Sequence, residues 1–172
     1  MLKFAIYDYI PRRQQARASF EQQDTSRRIL DFKDGRNYAK RWAAEAVGYA
    51  LQAVRLKEVV IVCVPASCQR TYVRRYRKFS QMLCAMLGAT DGFGCIEVIG
   101  HRKKAHHGAP RDGRLVENIA ISSSLQGRKV LIIDDIYTTG TTSSAFAQKL
   151  TDAGAVVCGA VFLGKTRGHR TA

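Results

Sequence analysis

No apolar run in this 172-residue sequence approaches the roughly 20 residues that a membrane-spanning helix needs. The opening Met1-Leu2-Lys3-Phe4 also lacks the apolar core and small-residue cleavage site of a secretory signal. A cytoplasmic protein with no membrane partner is therefore expected. Paired cysteines are missing too. Five cysteines (63, 68, 84, 95 and 158) stand at wide spacing. Cys63 and Cys68 are too far apart for the C-x2-4-C pattern of a zinc site, and no second pair completes four ligands. Reduced core thiols are expected instead, and His106-His107 reads as part of a polar loop. There are no internal repeats and no low-complexity linkers. Acidic residues are scarce, with 14 Asp and Glu against 28 Lys and Arg, a formal charge of +14. At this length, with 46% apolar residues, the chain is one domain, residues 1–172, able to bury about two-thirds of its unfolded surface.

The positive charge is unevenly placed. Residues 66–116 hold ten Lys and Arg against three acids, half of the whole excess. A basic surface can serve solubility alone, but a concentration of this kind also suits a polyanion, either a nucleic acid or a phosphorylated substrate.

Along the chain, the alternation Leu2, Phe4, Ile6 predicts a short first strand, followed by a polar, Arg- and Gln-rich stretch from Pro11 to Arg28. Asp34–Asn37 reads as a turn and cap before a long amphipathic helix. Its core side is expected to carry Tyr38, Trp42, Ala46, Val47, Ala50, Leu51 and Val54. Val59–Val64 is a continuous β-branched run stopped by Pro65, as in a strand buried on both faces of a parallel sheet. The basic stretch Gln69–Lys78 follows. Helical spacing then sets in at Phe79, Met82, Leu83, Met86 and Leu87, with Gly88 as the stop. Cys95–Ile99 predicts another strand, and His101–Arg114 a long basic loop of the kind that is often functional. Val130–Ile133 is a buried strand, Ser143–Ala153 a helix, and Val156–Leu163 the last strand. Alternating strands and helices imply a doubly wound α/β domain, its mostly parallel sheet flanked by helices and its ligand crevice at the strands' carboxyl ends.

Asp134-Asp135-Ile136-Tyr137-Thr138-Thr139-Gly140-Thr141-Thr142 lies at such an end. A Thr/Gly loop before a helix offers backbone N–H groups, hydroxyls and the positive end of the helix dipole to a phosphate. The two carboxylates accept hydrogen bonds only, and so suit sugar hydroxyls, or Mg²⁺ through water. Together they fit a ribose 5-phosphate. The simpler reading, a cap and two loop acids, explains one Thr but not four. Gly159–Thr166 also matches the G-x-x-x-x-G-K-[ST] pattern of a phosphate-binding loop. Its intervening residues are all apolar and continue a strand, and six residues remain after it, too few for the helix such a loop needs.

On these residues, Val130–Thr142 resembles the phosphoribosyl pyrophosphate (PRPP) signature of type I phosphoribosyltransferases. The chain is further similar to their ComF-like branch, named for DNA uptake. Leu30–Arg36 matches that branch's helix start, Val64-Pro65 its proline after the strand, and Arg77-Lys78-Phe79-Ser80-Gln81 its R-G-F-N-Q segment. Lys78 and Ser80 depart from the usual Gly and Asn, and the N-terminal cysteine cluster often found in that branch is missing.

The resemblance implies a role for each segment. Asp134 and Asp135 would bind the ribose hydroxyls, and Thr138, Thr139, Gly140, Thr141 and Thr142 the 5-phosphate. Pro65, Ala66, Ser67 and Cys68 would form the pyrophosphate loop, and Arg102, Lys103, Lys104 and His106 the mobile catalytic loop. Mg²⁺ would arrive with PRPP, without dedicated protein ligands. Residues 1–36 would supply a small variable hood, residues 37–166 the core, and the protein would be a homodimer. The implied reaction transfers phosphoribosyl from PRPP to an acceptor that the hood sequence does not encode, releasing pyrophosphate. The alternative is a non-catalytic module that senses PRPP or binds single-stranded nucleic acid. Arg74, Arg75 and Arg77 would then form a basic face, with Tyr72 and Tyr76 stacking on bases.

Overall fold

Three β-branched segments are buried along most of their length, which places them in the interior of a sheet. They are β2 (Val59–Cys63), β6 (Lys129–Tyr137) and β7 (Val156–Thr166). In the computed structural model, which describes residues 1–100 and 118–166, they form the centre of a five-stranded sheet. Its edges are β1 (Leu2–Tyr9) and the two-residue β3 (Thr90–Asp91), in the order β1-β7-β6-β2-β3. Every neighbouring pair in this sheet is parallel. Helices α1 (Phe20–Lys33), α2 (Asn37–Leu51), α3 (Gln69–Leu87) and α4 (Thr141–Asp152) flank it. The expected α/β class holds, and among the described residues no helix is long and apolar enough to cross a membrane.

Several expectations need correction. The polar stretch Pro11–Arg28 is largely helical: a short 3₁₀ turn at Arg12–Arg17 precedes α1. The start of α1 is fixed by a reciprocal capping box between Ser19 and Gln22. Its apolar stripe is only Ile29 and Phe32, both buried, so little periodicity was there to see. Part of residues 1–36, the segment expected to supply a hood, belongs to the core sheet. Leu2–Tyr9 is the edge strand of the main sheet, in register with β7 from Leu2 opposite Gly159 to Tyr9 opposite Thr166.

The strand expected at Cys95–Ile99 exists as β4 (Ile96–Val98), outside the main sheet. It pairs antiparallel with β5 (Ile119–Ile121) in a separate ribbon. The long loop after it lies outside the described residues.

Helix α2 packs through small residues, Ala39, Ala43, Ala44 and Val47, while Tyr38, Ala50 and Val54 are exposed. Trp42 is half-buried and stacks on Tyr7 with ring centroids 5.5 Å apart. Of the expected stripe, Val47 and Leu51 are buried and Trp42 and Ala46 pack against the core, while Ala39, Ala43 and Ala44 were missed because their small size lets the backbones approach. Helix α3 begins at Gln69 and not at Phe79, so the basic stretch Gln69–Lys78 is its first half. Tyr72, Tyr76, Phe79 and Leu83 recur at helical spacing along its buried side.

Candidate active site

Strand β6 does not end at Ile133. It runs on through both acids to Tyr137, paired with β7 as far as Tyr137 opposite Lys165. The carboxylates therefore sit on ordered strand backbone, at the end where an open parallel sheet receives its ligand. Beside them, the Val64 N–H donates to the Ile133 carbonyl at 2.9 Å, which fixes the Pro65-Ala66-Ser67 turn against the acids. After Tyr137 the chain turns through Thr138 and Thr139. Gly140 takes a left-handed conformation (φ 80°), and α4 starts at Thr141. Ser143 Oγ donates to the Gly140 carbonyl at 3.0 Å, and the hydroxyls of Thr139 and Thr141 lie 3.0 Å apart.

One cavity of about 540 Å³ collects these pieces. It is lined by Pro65, Ala66 and Ser67, by both acids, by Thr138–Ser143, and by Tyr9, Lys33 and Arg75. Cys68, expected with the turn, is not in the lining. It immediately precedes α3 without a side-chain capping bond, its thiol meets the Thr71 hydroxyl at 3.3 Å, and that contact lowers its pKa. Arg102, Lys103, Lys104 and His106 lie outside the described residues.

The two acids differ in their surroundings. Asp135 is buried and ion-paired with Arg75 at 2.8 Å. Asp134 is half-buried; its Oδ1 accepts from the Asp135 N–H at 2.8 Å and from the Tyr76 hydroxyl at 3.4 Å. Loss of hydration, followed by the neighbouring Asp135 charge, pushes the Asp134 pKa up to about 7. Burial likewise raises the Tyr76 phenol well above its ordinary value.

The expected basic face divides. Arg74 and Arg77 are exposed, but Arg75 turns into the cavity. Tyr72 and Tyr76 are 0% exposed, so neither ring can stack on a base. Starting the helical spacing only at Phe79 hid this. Once the helix begins at Gln69, Arg75 falls beside Tyr72, Tyr76 and Phe79 on the inward side. Tyr9 had no sequence signal and Lys33 stood only inside the Leu30–Arg36 match, because both reach the cavity through the placement of β1 and α1.

Residues 28–171 match the phosphoribosyl transferase domain family. Comparison with curated proteins gives no match. Among solved structures, the chain is similar to adenine phosphoribosyltransferase from Rhodothermus marinus, at 24% identity over 76% of this chain and 69% of the other, TM-score 0.45. Adenine phosphoribosyltransferase from Thermoanaerobacter pseudethanolicus gives 20% identity over 80% and 72%, TM-score 0.46. A hypoxanthine phosphoribosyltransferase from Staphylococcus aureus gives 19% over 84% and 68%, TM-score 0.46.

Proposed function

We propose, because the chain belongs to the phosphoribosyl transferase domain family, that it binds PRPP at the carboxyl end of β6 and transfers the phosphoribosyl group to an acceptor, releasing pyrophosphate. The observation that carries this reading is convergence. The acid pair, the Thr138–Thr142 loop at the start of α4 and the Pro65–Ser67 turn line the same cavity.

The role of each piece follows from its chemistry. The first N–H groups of α4 have no partners within the helix and, with the Thr hydroxyls, would hold the 5-phosphate. Asp134 would accept from a ribose hydroxyl. The Pro65–Ser67 backbone, just before α3, would take the pyrophosphate. In the reaction, the bond from the anomeric carbon to pyrophosphate breaks and a bond to the acceptor's lone pair forms, through an oxocarbenium-like state. The chain needs no covalent nucleophile. It has to stabilise the leaving charge and keep water from competing with the acceptor.

The carboxylates and hydroxyls are hard oxygen donors that suit Mg²⁺ reached through water, so the ion would come on PRPP without dedicated protein ligands. Bound there, Mg²⁺ would neutralise charge on the leaving pyrophosphate. Lys103 and Lys104, outside the described residues, belong to this proposal as the cations that act on the same group. Leu30–Arg36 and Arg77–Gln81 support the ComF-like branch, and a homodimer is part of the same reading.

Calorimetry with PRPP and Mg²⁺ tests binding, and a panel of nucleobases assayed for PRPP-dependent pyrophosphate release tests transfer. Equal PRPP affinity in wild type and Asp134→Asn would sink the site assignment. Binding without release across the panel would favour a non-catalytic PRPP sensor.

A further inference from the structure

We infer that Arg75 is a positioning residue that divides the acid pair, holding Asp135 within the protein and leaving Asp134 as the carboxylate that faces the ligand. The inference rests on the PRPP reading above. Resemblance alone gives both acids the same task, but their hydrogen bonds differ. Asp135 Oδ2 receives Arg75 Nη1 at 2.8 Å, and its Oδ1 receives the Ile136 N–H at 2.7 Å. Both oxygens are thus engaged inside the protein. The side chains of Arg75 and Asp135 are only 13% and 8% exposed, so solvent screens this pair little.

Arg75 is anchored at a second point. Its Nε donates at 2.7 Å to the carbonyl of Lys33, the last residue of α1, and its guanidinium lies 5.5 Å from the Tyr76 ring centroid. The planar fork of an arginine can span a carboxylate and a carbonyl in this way, where a lysine could not hold both. Arg75 therefore ties α1, α3 and the end of β6 together at the cavity wall.

Asp134 keeps capacity to spare. Its Oδ1 has partners, the Asp135 N–H and the Tyr76 hydroxyl, whereas no described residue donates to its Oδ2. Among the described residues the one buried side-chain polar atom lacking a partner is Thr166 Oγ1. Asp134 lines the cavity, so its second carboxylate oxygen is available to a ligand hydroxyl. The Arg75 guanidinium opposes the burial and the Asp135 charge that raise the Asp134 pKa, and so favours the ionised carboxylate that faces the ligand.

A double-mutant cycle on PRPP affinity, measured by calorimetry with Mg²⁺ present, tests this. Arg75→Gln and Asp135→Asn should each weaken binding by about tenfold, and the double variant by about the same factor, because both remove one interaction. Arg75→Gln combined with Asp134→Asn should likewise lose less than the product of the two single effects, because Arg75 acts on the ligand through Asp134. Arg75→Lys, which keeps the charge should Arg75→Gln fail to fold, should bind more weakly than wild type and more tightly than any foldable Gln variant. Effects of Arg75→Gln and Asp135→Asn that multiply, in wild-type-like folds, would overturn the inference while leaving the PRPP reading intact. Thermal midpoints of the same variants report on the ion pair without ligand. Non-additive midpoints in a protein whose wild type binds no PRPP would overturn the PRPP reading and the ligand-facing role of Asp134 with it.

Discussion

A Cβ placed on Gly140 would lie 2.6 Å from Cε2 of Tyr137, whose ring is itself held edge-on against Phe162 at a centroid distance of 5.0 Å. The turn that presents the Thr hydroxyls is thus closed by a backbone-to-ring contact that only glycine allows. Its φ of 80° points the same way, since a side chain in that region is strained by about 1–2 kcal/mol. Gly140→Ala should lower stability by that amount or more, and weaken PRPP binding by at least about tenfold as the loop shifts. Chemical denaturation and calorimetry read the two effects. A variant with unchanged PRPP affinity would mean that the loop does not hold the phosphate.

The raised pKa of Asp134 has a defined pH consequence. The carboxyl titrates near 7 when folded against an ordinary value of 3.8, so the native state holds its proton more tightly than the unfolded chain. Stability from this source is fully present below about pH 4 and is lost as pH rises through about 7. Urea midpoints of the wild type should therefore fall between pH 5 and pH 8, and Asp134→Asn should flatten that fall. Ligand binding should run in the opposite direction. An ionised Asp134 accepts a hydroxyl better, so PRPP affinity should rise over the same interval. In the Asn variant that rise should be smaller. A wild-type midpoint as insensitive to pH as the variant's would count against the shift.

The parts of the fold that repeat a local pattern were legible. Val59–Val64, Val130–Ile133 and Val156–Leu163 are β-branched runs, and each is a buried strand of the sheet. The Thr/Gly turn was legible because its residue types have few other uses in one place. What escaped was set by tertiary context. Arg75 resembles its neighbours Arg74 and Arg77 in composition, and only helix phase turns it inward to Asp135. Leu2–Tyr9 could not be assigned to the main sheet from its own alternation, since pairing with β7 is a contact between the two ends of the chain. In α2 the buried side is marked by alanines, whose small size, not their hydrophobicity, qualifies them for the interface.

Burial of Tyr76 changes what its substitution can report about nucleic acid. Tyr76→Ala would empty a fully buried aromatic site and should cost about 3–5 kcal/mol, a folding effect that carries no information on binding. Tyr76→Phe keeps the ring packing and removes only the long hydrogen bond to Asp134. Single-stranded DNA binding, followed by fluorescence anisotropy, should be weak and unchanged in Tyr76→Phe. Arg74 and Arg77 remain exposed. Replacing both with Ala should reduce what binding exists and flatten its salt dependence between about 50 and 200 mM. Tight binding that survives high salt would argue for a nucleic-acid surface elsewhere on the molecule.

Two further glycines separate steric need from mere occurrence. In α2, a Cβ on Gly48 would lie 2.7 Å from Cε of Met86, the far end of a flexible side chain that is 53% exposed and can swing aside. Its next neighbour, Leu83 Cδ1, is at an ordinary 3.9 Å. Alanine in a helix interior is favoured over glycine by about 0.5–1 kcal/mol. Gly48→Ala should thus be neutral or stabilising. Gly92 also has a φ that alanine can adopt, but its added Cβ would meet Val60 Cγ1 at 2.6 Å and the Ile61 carbonyl oxygen at 2.8 Å. Strand β2 is buried on every residue and cannot yield. Gly92→Ala should destabilise by about 1–3 kcal/mol, the usual consequence of overpacking. Thermal melts of the two variants side by side give the comparison. If Gly48→Ala proves the more damaging, the α2–α3 interface is tighter than the exposure of Met86 implies.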